Sequence, residues 1–168
     1  MDPKSLLQDK IVLIVDDEVD VTDTVEEVLD MCFVRKANDY DTARQYLMSY
    51  TFDIVILDIM GVNGFELLKT SVKRGFPSVM LTAYALTPEA LEKSIKLGAV
   101  SFLPKEKMSD LDEFLADVVL KGGQPVWGKL FDKLGGFFNK RFGPDWKERN
   151  KFFEDFEQTL KQIKDEEP

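Results

Sequence analysis

Five polar residues, each at the end of an apolar run, are the side chains of this sequence that could do chemistry together. They are the acids Asp16, Asp17 and Asp58, the hydroxyl residue Thr82 and the amine Lys105. Any one of them alone is most simply explained as a turn or cap residue at the end of a strand. Their joint occurrence in one continuous series of apolar runs is what indicates a site.

The chemistry that this set supports is phosphoryl transfer. Clustered carboxylates raise each other's proton affinity unless a cation lies between them, and an all-oxygen ligand set favours Mg²⁺. The sequence contains no histidine, which excludes Ser-His and Cys-His mechanisms and His-liganded zinc. An aspartate can act as a nucleophile and form an acyl phosphate, while Mg²⁺ and a lysine neutralise the transferring oxygens.

The apolar runs that precede these residues are typical of strands in a parallel sheet. They cover residues 11–15, 32–36, 53–57, 78–81 and 99–103. Between them, apolar residues recur at intervals of three and four, which predicts helices. Five such units in series predict an α/β fold, with a parallel sheet covered by helices on both faces. The carboxyl ends of the strands share one rim, where the five polar residues would meet.

Charge and aromatic content divide the chain into two parts. Residues 1–120 hold 22 of the 31 acidic side chains but 12 of the 22 basic ones, whereas residues 121–168 are almost neutral. The last 48 residues also hold both tryptophans and 7 of the 13 phenylalanines. A breaker-rich stretch at 121–125 lies between the parts. We therefore interpret 1–122 as one domain and 123–168 as a helical extension, and the acidic domain is not expected to bind nucleic acid.

The sequence favours a cytoplasmic protein. No stretch approaches the roughly 20 apolar residues that cross a bilayer, and the first ten residues lack the apolar stretch of a secretory signal. The single cysteine, Cys32, cannot form an internal disulfide and fits a reducing compartment.

Residues 10–120 resemble the receiver domain of two-component response regulators. The resemblance rests on Asp16-Asp17, on Asp58 within Ile-Leu-Asp-Ile-Met, on Thr82-Ala83 and on the Phe-Leu-Pro-Lys run that ends at Lys105. It implies a flavodoxin-like, doubly wound sheet of five parallel strands in the order 2-1-3-4-5. It also implies a phosphorylation-dependent signalling switch, a phosphoacceptor regulator rather than a turnover enzyme.

The resemblance assigns the phosphoacceptor and the metal ligands. Asp58 would accept a phosphoryl group from a histidine kinase or a histidine phosphotransfer protein. Mg²⁺ would be held directly by Asp17, by Asp58 and by the backbone carbonyl of Met60, with Asp16 acting through water. Two interpretations of Glu18 are open: it contributes to metal affinity or, more simply, it is an acid favoured at the start of a helix.

The remaining roles follow from the same resemblance. Lys105 would contact the phosphoryl group and the Asp58 carboxylate. Thr82 would turn inward onto the phosphate, and Phe102 would occupy the position of the family's aromatic switch. Tyr84 is expected either to screen the phosphorylation site or to face solvent.

Two departures from the family pattern affect the loops of the site. The loop after the phosphoacceptor, Gly-Val-Asn-Gly at 61–64, is about two residues shorter than usual. Proline precedes Lys105 instead of following it, and a cis bond without proline costs about 3–4 kcal/mol. We therefore do not expect a cis peptide between Lys105 and Glu106.

The extension is predicted to form two amphipathic helices that meet near Gly143-Pro144. Their apolar stripes contain Trp127, Phe131, Leu134 and Phe138 in the first segment, and Trp146, Phe153, Phe156, Leu160 and Ile163 in the second. Exposed, these side chains would form a larger patch than monomers tolerate, so we expect them to be buried against protein. The surface that buries them is the receiver, a second subunit or a dedicated partner, and the near-heptad spacing favours a homodimer. The basic residues of the first segment are also typical of a helix that binds a membrane surface, which is the less favoured alternative.

Two other classes of function compete with the switch. A scaffold that keeps the fold without being phosphorylated would have no need of three clustered carboxylates. A phosphohydrolase would need a second acid-base carboxylate for rapid turnover, and no residue beside Asp58 fits that role.

Overall fold

The computed structural model describes residues 2–83 and 86–166. Over these residues, five strands form one parallel sheet in the order β2-β1-β3-β4-β5. The strands are β1 Ile11–Val15, β2 Phe33–Ala37, β3 Ile54–Leu57, β4 Ser78–Thr82 and β5 Ser101–Pro104. The α/β fold and the expected strand order are therefore confirmed.

Six helices of the described residues accompany the sheet, and two more form the extension. They are α1 Pro3–Leu7, α2 Val19–Val28, α3 Tyr40–Ser49, α4 Gly64–Lys73, α5 Pro88–Lys96, α6 Leu111–Leu120, α7 Trp127–Phe142 and α8 Lys151–Glu166. Side-chain caps fix the starts of α3 and α5. Asp39 accepts a hydrogen bond from the amide of Thr42 at 2.8 Å, and Thr87 accepts one from the amide of Ala90 at 3.1 Å. A 3₁₀ segment, Lys105–Asp110, joins β5 to α6.

The strand register brings the predicted site residues together at one edge of the sheet. Val15 lies opposite Leu57 in the neighbouring strand, so the acids that follow these two residues lie level with each other. At the other side of the sheet Thr82 lies opposite Pro104, which places Lys105 one residue beyond. Since β3 is buried throughout, the helices cover both of its faces, as its continuous apolar run predicts.

The extension packs against the receiver of its own chain. Helix α7 lies over β5, and the amide of Val126 donates to the carbonyl of Val100 at 3.0 Å, beside the edge of that strand. The break near Gly143-Pro144 is confirmed, because α7 ends at Phe142 and α8 begins at Lys151. Trp127, Leu134 and Phe138 of α7 are buried as expected, and the Trp146 ring packs on the Phe138 ring with centroids 6.1 Å apart. The second stripe is covered only in part, because Phe156 and Leu160 are partly buried and Ile163 is 48% exposed.

Two elements were not expected from the sequence. Helix α1 packs against α6 and buries Leu7, but five residues are too few to show a helical repeat. The 3₁₀ segment after Lys105 has no buried residues and therefore leaves no apolar pattern. Among the described residues, no helix is both long and apolar enough to span a membrane.

Candidate functional site

Lys105 joins two of the predicted acids at the rim. Its Nζ lies 2.7 Å from Oδ2 of Asp16 and 3.7 Å from Oδ1 of Asp58. Asp16 is completely buried and Asp58 is 5% exposed. The ends of β1, β3 and β5 thus meet at a group of two carboxylates and one ammonium, in the arrangement that the sequence predicts.

Burial gives these carboxylates unusual proton affinities. The pKa of Asp58 is raised to about 7, first by burial and then by the negative charge of Asp16, while the charge of Lys105 acts in the opposite direction. Burial also raises the pKa of Asp16. For Lys105, burial favours the neutral form, but the contacts with Asp16 and Asp58 prevail and raise its pKa. Lys105 therefore stays charged, and it lies beside two carboxylates whose charged forms burial disfavours.

The acidic residues at the end of β1 fit a divalent cation. Carboxylate oxygens of Asp16, Asp17 and Glu18 lie within 4.8 Å of one another. Oδ2 of Asp16 is buried and, apart from its ion pair with Lys105, has no hydrogen-bond partner. A cluster of carboxylate oxygens with no nitrogen or sulfur donor is the ligand chemistry that Mg²⁺ prefers. The residues present therefore fit the predicted metal.

The Asp17 carboxylate lies against the loop that follows Asp58. A Cβ built on Gly61, whose φ is +84°, would lie 2.5 Å from Oδ2 of Asp17. The backbone of Gly61 therefore lies beside this carboxylate. Met60, whose carbonyl the resemblance names as a ligand, is the residue directly before it.

Gly64 allows the short loop to close onto the phosphoacceptor. A Cβ at this position would lie 1.9 Å from the backbone carbonyl oxygen of Asp58, which no side chain can tolerate. The amide of Gly64 donates to the carbonyl of Ile59 at 2.9 Å, and Asn63 before it adopts the left-handed conformation at φ 54°. The shortened loop is thus a tight turn built directly on Asp58.

The two residues that the resemblance assigns to the switch lie inside the protein. Thr82 ends β4 and is completely buried, and Phe102, which lies opposite Met80 in the sheet, is also completely buried. All peptide bonds of the described residues are trans, and this includes the bond between Lys105 and Glu106. Tyr84 lies outside the described residues.

Sequence reasoning left one support of the site open and missed another. Glu18, more simply interpreted as a helix-start acid, does begin α2, but its side chain makes no capping hydrogen bond and its carboxylate joins the acidic cluster. Asn38 holds the end of β1, because its Nδ2 donates to the carbonyl oxygen of Asp16 at 2.9 Å and to Thr22 Oγ1 at 3.2 Å. Asn38 follows β2 as the acids follow β1 and β3, and this strand-end position is the signal that could have identified it.

A comparison with protein families agrees with this geometry. Residues 12–116 match the family model of the response regulator receiver domain, so the chain belongs to the response regulator receiver family. Members of this family are phosphoacceptor regulators of two-component systems, they interact with histidine kinases or phosphotransfer proteins, and they are generally not enzymes. No curated protein matches the sequence.

Solved structures show the same fold. A CheY-like receiver domain protein from Methanospirillum hungatei is 25% identical, with a TM-score of 0.62 over 68% of this chain and 96% of that one. A response regulator from Burkholderia pseudomallei, solved with a phosphorylated aspartic acid, calcium ion and citrate, is 23% identical, with a TM-score of 0.59 over 67% and 70%. NtrX from Brucella abortus is 29% identical, with a TM-score of 0.60 over 69% of this chain and 28% of that one.

Proposed function

We propose that this protein is a phosphorylation-dependent signalling switch in which Asp58 accepts a phosphoryl group from a histidine kinase or a histidine phosphotransfer protein. The observation that carries the proposal is the position of the Lys105 ammonium between the buried carboxylates of Asp16 and Asp58. A scaffold would not need to keep two carboxylates buried at the strand ends, because burying ionisable groups costs stability.

In the proposed reaction the Asp58 carboxylate is the nucleophile. One of its oxygens forms a bond to phosphorus while the bond from phosphorus to the donor nitrogen breaks, and the imidazole leaves with the electron pair of that bond. The product is an acyl phosphate on Asp58 and a histidine on the donor. Lys105 neutralises negative charge on the transferring group, and the Thr82 hydroxyl donates a hydrogen bond to one of its oxygens.

Asp16, Asp17, Asp58 and the carbonyl of Met60 would hold Mg²⁺, and Glu18 adds negative charge beside them. Bound there, Mg²⁺ neutralises the oxygens of the transferring group and draws the donor phosphate towards the acids. Without the cation, those acids repel an incoming phosphate, which is why we expect phosphorylation to require it.

We propose that Thr82 and Phe102 relay the modification to the surface. Both side chains are completely buried, so a movement of either one changes the packing around it. The ends of β4 and β5, where Thr82 lies opposite Pro104, are the elements that would shift.

The remaining parts of the proposal concern boundaries, partners and location. We keep residues 1–122 as the receiver and 123–168 as the extension. No nucleic acid is expected as a partner, because the chain carries a net charge of −9. A homodimer through the extension stays a prediction that light scattering tests. Membrane contact is not expected, because both tryptophans of the extension, with Phe138 and Phe153, are buried within the protein. The lone Cys32 favours a cytoplasmic location.

The experiment that tests the proposal is incubation with acetyl phosphate and Mg²⁺, followed by intact mass. We expect an adduct of one phosphoryl group that is absent in Asp58→Asn. Lys105→Gln should slow its formation, whereas Lys107→Gln, two residues away on the same 3₁₀ segment, should not. No adduct at any Mg²⁺ concentration would contradict the proposal and favour a scaffold that is not phosphorylated.

A further inference from the structure

A cavity of about 820 Å³ lies between the receiver and the α7–α8 hairpin, residues 127–166. We call it the hairpin cavity. Its wall includes Gly98 and Ala99, which precede β5, and Lys121, which follows α6. Because all five strands are parallel, the residues that precede β5 lie at the edge of the sheet opposite to the one that carries Asp58. The hairpin cavity is therefore separate from the phosphoacceptor site.

The wall of the hairpin cavity is mostly apolar and contains three aromatic rings. The Phe131 ring packs against the Trp127 ring, with centroids 6.3 Å apart, and against the Phe156 ring, with centroids 6.2 Å apart. Ile95 from α5 and Leu160 from α8 also line the cavity, and both are only partly buried. Covering these side chains with an apolar ligand would remove apolar surface from water, which is favourable.

Gly128 leaves room for a ligand beside these rings. It belongs to the first turn of α7 and lines the cavity, and a Cβ built on it would meet no atom within 4 Å. The end of α5, the connector at 121–126, α7 and α8 all contribute to the wall, so the site is concave. Small-molecule sites are concave and have volumes of about 300–1,000 Å³. The hairpin cavity therefore fits a small molecule better than it fits a flat protein surface.

Basic residues outnumber acidic ones in the wall of the cavity. Among the described residues that line it, the charged ones are Lys121, Lys129, Lys147, Lys161, Asp132 and Glu157. Four lysines and two acids give a net charge of +2, whereas the whole chain carries −9. Nζ of Lys147 pairs with Glu157 at 3.2 Å. Nζ of Lys129 pairs at 3.3 Å with Asp117, which lies outside the wall and also pairs with Lys133. An excess of positive charge therefore remains and favours an anionic ligand.

We propose that the hairpin cavity binds a small amphipathic anion, a carboxylate that carries an unbranched apolar chain. The chain lies over the aromatic rings of the wall, and burial of its methylene groups supplies most of the affinity. The carboxylate meets the lysines: Nζ of Lys147 lies 5.0 Å from the centre of the Phe131 ring, and Lys161 is exposed beside Leu160. Binding requires neither phosphorylation of Asp58 nor movement of the hairpin.

The two tryptophans report on binding in different ways. Trp127 lines the cavity, whereas Trp146 lies outside its wall and donates its indole N–H to Asn139 at 2.9 Å. The experiment titrates the full chain, in EDTA and without a phosphoryl donor, with sodium dodecanoate below the concentration at which it forms micelles. ¹H–¹⁵N NMR spectra follow the two indole signals. We expect a saturable shift of the Trp127 signal and a much smaller shift of the Trp146 signal. Dodecan-1-ol, which has the same chain but no charge, should bind several-fold more weakly.

Gly128→Leu tests the position of the apolar chain, because the new side chain occupies the space that the ligand would fill. We expect it to weaken dodecanoate binding by at least about tenfold. Gly136→Leu is the matched control, since Gly136 is also an open position of α7 but lies outside the wall, and it should bind like the parent protein. Leucine favours a helix more than glycine does, so both variants should fold, and their melting temperatures check this.

Lys161→Gln tests the position of the carboxylate. It should weaken the binding of dodecanoate by about two- to fivefold, the effect of one exposed ion pair, and leave the binding of dodecan-1-ol unchanged. Lys151→Gln, an exposed change on the same helix that lies outside the wall, is the control and should alter neither.

Several results would overturn the inference. Binding that Gly128→Leu leaves unchanged would place the ligand elsewhere, and equal affinities for dodecanoate and dodecan-1-ol would contradict an anion site. If no indole signal shifts, sedimentation with phosphatidylcholine–phosphatidylglycerol vesicles would assign the wall to a membrane. A dimer in light scattering would instead assign it to a second copy of the chain. None of these results bears on Asp58, because neither Mg²⁺ nor a phosphoryl donor is present.

Discussion

Replacing Asp58 by asparagine should change how the free energy of unfolding depends on pH. In the absence of metal, the pKa of Asp58 is raised from 3.8 to about 7 by burial and by the charge of Asp16. Between about pH 4 and pH 7 the folded protein therefore keeps a proton that the unfolded chain has lost. Since the folded state binds more protons in this range, the free energy of unfolding falls as pH rises.

The magnitude follows from the size of the shift. Each pH unit between the two pKa values changes the free energy of unfolding by about 1.4 kcal/mol. Over the interval from 3.8 to about 7, Asp58 alone lowers it by up to about 4 kcal/mol. Asparagine has no proton to lose, so Asp58→Asn should match the parent protein near pH 4 and exceed its stability above pH 7 by up to this amount. The raised pKa of Asp16 acts in the same direction and leaves the variant with a smaller slope.

The measurement is urea unfolding in EDTA from pH 4 to pH 8, followed by far-ultraviolet circular dichroism, because both tryptophans report the hairpin instead of the site. Glu113→Gln, an exposed change on α6, is the control and should run parallel to the parent protein. Equal slopes in Asp58→Asn and the parent protein would refute the electrostatic description of the site. So would a variant that is less stable than the parent protein at pH 8.

Three further predictions concern the metal, the hairpin and the loop. Asp17→Asn should weaken Mg²⁺ binding strongly and Asp16→Asn more mildly, and equal calorimetric affinities of Asp17→Asn and the parent protein would show that the metal lies elsewhere. Phe138→Ala empties a completely buried position and should cost about 3–5 kcal/mol in urea unfolding; a cost below about 1 kcal/mol would mean that α7 does not pack as described. Gly64→Ala should cost more than about 2 kcal/mol, because its Cβ would collide with the Asp58 carbonyl. Gly135→Ala, at an open position of α7, should stabilise the protein by about 0.5–1 kcal/mol. Equal melting temperatures of Gly64→Ala and Gly135→Ala would contradict the assignment of the tight turn.

The rim of the sheet could be predicted from the sequence because a parallel sheet brings the carboxyl ends of its strands to one edge. Asp16, Asp58 and Lys105 could therefore be grouped from the apolar runs before them, although 88 residues of chain lie between the first and the last. Loop length and loop conformation do not enter that argument. Glu18 could not be assigned to the cluster, because a helix-start acid explains its position more simply, and sequence does not distinguish a cap from a ligand.

The surface that covers the apolar side of α7 could not be predicted from the sequence. An amphipathic stripe shows that one side of a helix is buried, but it does not show which surface buries it. The place of Phe138 in the apolar stripe is explained equally well by burial against the receiver, a second subunit or a partner. The burial of Asp117 could not be predicted either, because an acid within an apolar helix is ordinarily exposed. Its carboxylate is buried together with its ion pairs to Lys129 and Lys133 of the following helix.

The measurement that tests the central claim most directly is the location of the phosphoryl group. The full chain is incubated with acetyl phosphate and Mg²⁺, and its peptides are sequenced by tandem mass spectrometry under conditions that preserve acyl phosphates. We expect one modified residue, Asp58, whose label is removed by hydroxylamine and fails to form in EDTA. A label on another residue, or one that persists in Asp58→Asn, would contradict the proposal that Asp58 is the phosphoacceptor of this receiver.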